Sequence, residues 1–106
     1  MSDWVTIGRE SDLPSGALRG VQIGETSLAM GRLEDGTLVA FSEWCTHEEC
    51  PLSDGDLEGD HVVCYCHSGE FDVRTGMVMK GPPEDPLQVY EIRAMGGELQ
   101  VRIDDS

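Results

Sequence analysis

Apolar and polar residues along the 106-residue chain either alternate or gather in short apolar runs, and no stretch keeps a 3.6-residue period long enough for a stable helix. Residues 4–7 and 18–23 read as strands separated by the turn-rich segment 11–16. Gly24 and Glu25 reverse the chain into a third strand over 26–33. Asp35 and Gly36, a pair suited to a tight hairpin, lead into a short buried strand over 38–41. Further on, 56–58 and 61–63 flank a turn at Gly59 and Asp60, and 71–73 and 77–79 flank one at Thr75 and Gly76. Residues 81–86 contain three prolines, which remove ladder donors and predict a loop. The cleanest alternation is over 87–93 and 98–103, a closing hairpin. The pattern predicts an all-β protein of one domain, 1–106, with a sheeted base over about 1–42 and 87–106 and an inserted lobe over about 43–86.

The chemistry is concentrated in that lobe. Cys45-Thr46-His47 and Cys64-Tyr65-Cys66-His67 form C-x-H, a sixteen-residue spacer, then C-x-x-H, so each run presents one thiolate and one imidazole from a short loop. Two such loops make a four-ligand metal site. A structural zinc site usually takes its sulfurs from one knuckle and its histidines from another, which mixed pairs fit poorly. Mixed pairs suit a two-iron cluster in which histidines replace two cysteines on one iron.

These runs, with Gly69 and Phe71 after them, resemble the ligand loops of Rieske proteins, and above all the small ferredoxins that supply bacterial aromatic-ring dioxygenases. The similarity extends through 51–55 (PLSDG), 71–76 (FDVRTG) and 81–83 (GPP). It implies a Rieske fold, in which an antiparallel sandwich or incomplete barrel carries an inserted cluster-binding lobe, with the proline loop covering one side of the cluster. It also implies one [2Fe–2S] cluster per chain, with Cys45 and Cys64 on one iron and His47 and His67 on the other. High-potential respiratory relatives carry hydroxyl side chains at the places held here by Gly69 and Phe71, so the resemblance implies a potential at the low end of the Rieske range. Cys50 and Cys66 stand where the respiratory type forms a disulfide between its loops. The pair is either bridged in that way or two buried thiols, which a reducing cytosol favours.

Charge narrows the choice of partners. Seven Lys and Arg against 21 Asp and Glu give a net charge of −14, which repels nucleic acid and anionic membrane. The acidity fits both a basic protein partner and simple solubility. The residues at the N-terminus lack the basic and apolar regions of an export signal, and no apolar run approaches a membrane span, so a cytoplasmic protein is expected. His61, beside Asp60, reads as a solvated or hydrogen-bonded surface residue, Trp4 and Trp44 as core aromatics, and Met30, Met77, Met79 and Met95 as filler for a small core. Acidic pairs such as Glu48-Glu49 and Asp104-Asp105 have no evident cleft to raise one pKa, so a two-carboxylate hydrolase has little support.

The expected function is electron carriage without catalysis. The chain would take electrons from an NAD(P)H-dependent flavin reductase and pass them singly to the terminal oxygenase of an aromatic-ring dioxygenase, meeting each partner through a tip around His47, His67 and Pro82. Two alternatives stand beside it. One is the small Rieske-like subunit of an assimilatory nitrite reductase, the other a binding module with structural zinc.

Overall fold

In a computed structural model of the chain, the described residues are 4–44, 50–64, 69–80 and 86–102. Their strands are β1 (Trp4–Arg9), β2 (Leu18–Ile23), β3 (Thr26–Arg32), β4 (Leu38–Ser42), β5 (Asp56–Glu58), β6 (His61–Val63), β7 (Glu70–Asp72), β8 (Val78–Lys80), β9 (Val89–Met95) and β10 (Glu98–Arg102). Every ladder is antiparallel. The all-β reading holds, and short 3-10 turns at Glu10–Asp12 and Leu52–Asp54 are the only helical pieces among the described residues.

Two sheets result. Six strands in the order β1-β10-β9-β4-β3-β2 make the larger, and β5-β6-β7-β8 make the smaller. The larger curls toward closure, because Ile7 on one edge strand and Val21 on the other pack on the same Leu28, Ala40 and Val101 cluster. Strands β3 and β4 explain how the sheets are joined. Their sequences are nearly continuous apolar runs, and both are buried on both faces. Leu28 and Ala40 point into the curled sheet, while Ala29, Val39 and Phe41 point the other way, into a second cluster with Leu52, Val62 and Phe71.

Two of the boundaries that differ from the alternation pattern do so for evident local reasons. Strand β7 ends at Asp72 because its carboxylate Oδ1 accepts from Arg74 N at 2.8 Å and Thr75 N at 3.2 Å, turning the chain early. The turn closes at Gly76, whose φ of 84° is costly for a residue with a side chain. Strand β9 starts at Val89 and not at Leu87, since Leu87 N donates to Gly76 O at 2.7 Å and its side chain is buried in the shared cluster.

Phe71 is fully buried where the sheets meet. Phe71→Ala is expected to cost about 3–5 kcal/mol, whereas Met95→Ala, at an exposed hairpin end, should stay within about 0.5 kcal/mol of the parent. Urea unfolding followed by far-ultraviolet circular dichroism measures both, and a Phe71→Ala loss under about 1 kcal/mol would contradict the shared core.

Candidate metal centre

The first ligand-bearing run begins where β4 ends. Strand parity continues past Ser42, so Val39, Phe41 and Glu43 lie on the buried side and Trp44 on the other. Glu43 is therefore buried at 9% exposure, while Trp44 is 45% exposed. Trp44 then forms an isolated antiparallel bridge with Pro51, and Leu52 N donates to Glu43 O at 2.6 Å. The chain thus enters and leaves the segment 45–49 side by side. A second tie joins the same stem: Ser53 N donates to Glu43 Oε1 at 2.8 Å and Ser53 Oγ to Oε2 at 2.7 Å.

The second run sits at the end of a hairpin. β6 leads into Cys64, whose N–H donates to Gly69 O at 2.8 Å before β7 returns. Gly55 fits the two stems together, since a Cβ there would collide with the carbonyl oxygen of Val63, the residue before Cys64. The exit from the first loop therefore lies against the entry to the second.

Of the four candidate ligands, Cys64 is described, and its side chain is 1% exposed in the shared apolar cluster. Cys45, His47 and His67 lie outside the described residues, as do Cys66 and Pro82. Cys50 is also buried in that cluster. The surroundings of Cys64 suit a metal-bound thiolate, because an apolar setting disfavours a bare thiolate and a bound cation offsets that cost. Gly69 is buried without a side chain, and Phe71 fills its site with a ring that donates no hydrogen bond. The donor set of two thiolates and two imidazoles on these stems fits a two-iron cluster of the mixed-ligand type.

His61 sits between two acidic neighbours. On β6 it is half-buried, with Nε2 3.3 Å from Asp60 Oδ1 and Nδ1 3.6 Å from Glu70 Oε1. Asp60, His61 and Asp72 bring one ligand atom each within 4.8 Å of one another. That group has no thiolate, and Asp72 Oδ1 is already used in the turn by Arg74 N and Thr75 N.

Several expected core residues are not in the core. Trp44 faces outward because Glu43 occupies the inward position. Trp4 is half-buried on edge strand β1, with the Arg93 guanidinium 3.9 Å over its ring. Only Met30 among the four methionines is buried; Met77 and Met79 lie by the edge strand β8 and Met95 at a hairpin end, all at least half exposed. Sequence reasoning also missed the Glu43–Ser53 pair. The available signal was an acid at the end of the buried run 38–42, directly before the first ligand pair.

Comparison with known proteins agrees with this geometry. Residues 3–91 match the model of the Rieske [2Fe–2S] domain. Ferredoxin CarAc of Metapseudomonas resinovorans is 37% identical over 99 residues, 92% of each chain. The biphenyl dioxygenase ferredoxin subunit of a Pseudomonas strain (KKS102) is 48% identical over 68 residues, 63% of this chain and 62% of that one. A solved complex of reduced oxygenase and oxidized ferredoxin in carbazole 1,9a-dioxygenase contains a chain that superposes with a TM-score of 0.88 at 36% identity, over 96% of this chain and 94% of that one. A domain match across most of the chain and a relative of this identity along nearly its whole length place the chain in the Rieske [2Fe–2S] family.

Proposed function

We infer that this chain is the ferredoxin component of an aromatic-ring dioxygenase system. It carries one electron at a time from an NAD(P)H-dependent flavin reductase to a terminal oxygenase, and has no catalytic activity of its own. The observation that carries this reading is the alignment with a ferredoxin over 92% of both chains, together with the match to a chain in a solved oxygenase–ferredoxin complex of carbazole 1,9a-dioxygenase. The cytoplasm is its compartment, in keeping with the absence, among the described residues, of a helix long and apolar enough to cross a membrane.

Within this reading, residues 43–86 form the cluster lobe and the rest the base. Cys45 and Cys64 hold one iron, and His47 and His67 the other. When bound, the cluster supplies a one-electron couple, and neutral imidazoles in place of two thiolates ease its reduction relative to all-cysteine clusters. The chain's own residues set where in the range of about −150 to +300 mV it lies. With Gly69 and Phe71 where hydroxyl donors stand in high-potential relatives, the reduced state gets no help from those positions, and the low end follows. The tip around His47, His67 and Pro82 is the surface offered to each partner in turn, so the protein works as a shuttle. The acidity of the chain steers it toward basic docking sites.

The purified protein should contain about two iron and two acid-labile sulfide per chain and, when reduced, give a rhombic EPR signal with average g below the free-electron value. One equivalent of zinc without sulfide would overturn the reading. His67→Ala should lose the cluster and His61→Ala should keep it.

For Cys50 and Cys66, counting thiols in denatured, non-reduced protein after removal of the cluster distinguishes the two states. Two reactive thiols of the four cysteines mean a bridge, and four mean none. The reduction rate of a terminal oxygenase, measured by stopped flow, should fall with rising salt as the attraction is screened over about 10 Å at 0.1 M. A rate that is flat or rises with salt would assign the acidity to solubility.

A further inference from the structure

Glu43 is the buried charged residue among the described residues, in a chain of net charge −14. Burying a carboxylate in such a chain is unfavourable unless its oxygens are satisfied. No Arg or Lys among the described residues pairs with it. Both oxygens are instead taken by one residue, Ser53, through its backbone N–H and its hydroxyl. These bonds cross the neck of the segment that carries Cys45 and His47. The backbone alone closes that neck weakly, since Glu43 N is committed to Ser27 O of β3 at 3.1 Å and cannot pair back with Leu52. What remains there among the described backbone groups is the one bond from Leu52 N to Glu43 O. The fold also reserves the space. A Cβ on Gly20 of β2 would run into Glu43 Oε2 and Ser53 Oγ.

We propose that Glu43 is a positioning residue for the iron–sulfur cluster: by clasping Ser53 it closes the stem of the first ligand loop and fixes the spacing at which Cys45 and His47 meet the metal. The inference rests on those two residues being ligands. Opening the clasp leaves Ser53 donors without their acceptors at a half-buried site and frees the loop exit to move away from its entry. The cluster is then held firmly by the second loop and loosely by the first. Loss of metal becomes easier without unfolding of the base, because the curled sheet keeps its own core of Leu28, Ala40 and Val101.

The test is the rate at which cluster absorbance is lost from holoprotein under excess chelator, read with the EPR spectrum of the reduced state. Glu43→Ala is expected to release the cluster about tenfold faster and to broaden the EPR lines. Glu43→Gln, which can accept from Ser53 N and donate to Ser53 Oγ, should stay within about twofold of the parent. Gly20→Ala, a strand substitution away from the loop, should push the flexible carboxylate off Ser53 and release the cluster as Glu43→Ala does. Val101→Ala serves as a control that lowers global stability from the far core.

If Glu43→Ala holds its cluster as long as the parent, or if Val101→Ala at equal loss of thermal stability releases it equally fast, the clasp is refuted. Equal defects in Glu43→Gln and Glu43→Ala would also refute it, by assigning the effect to charge and not to position. Parent protein lacking a two-iron cluster would overturn the ligand reading and this inference with it, so the two failures are told apart in the first spectrum.

Discussion

The apolar cluster shared by the two sheets holds together the stems of the two loops that carry the candidate ligands. Phe41 from the base, Phe71 and Val62 from the small sheet, and Leu52 from the turn after the first loop meet in one packed volume, with Cys50 and Cys64 among them. Close-packed interiors transmit displacements instead of absorbing them. A shift of either sheet would therefore move one stem relative to the other. Gly55 against the Val63 carbonyl is the tightest expression of this, since even a methyl group does not fit between the stems.

The same packing sets the chemistry available to the ligands. Cys64 is buried in the apolar cluster, and Gly69 and Phe71 contribute no hydroxyl at their own positions. The acidic surface acts at longer range, on encounter with partners and on solubility.

Membership of the Rieske family agrees with how the chain is built, because the stems of the two short loops are packed against one shared core. The middle strands β3 and β4 are central to this packing. Buried on both faces, they belong to two cores at once, which is why a 106-residue chain can support two sheets.

By itself the sequence determined the strand set, the hairpin turns and the family to which the candidate ligand pattern points. Those features are local: alternation is read over a few residues, Asp35-Gly36 announces its own turn, and C-x-H with C-x-x-H states its ligand types without reference to the rest of the chain. Which side chains face inward at the ends of strands was decided by the tertiary structure. Trp44 looked like core on hydrophobicity, yet strand parity from Phe41 gave the inward place to Glu43, and a partner ten residues on, Ser53, made a buried acid tolerable. Met77 and Met79 looked like filler, but a strand at the edge of a four-stranded sheet has no neighbour to cover them. The six-strand order, in which β4 meets β9 across an inserted lobe, likewise depends on contacts between segments about fifty residues apart, and no local pattern carries that information.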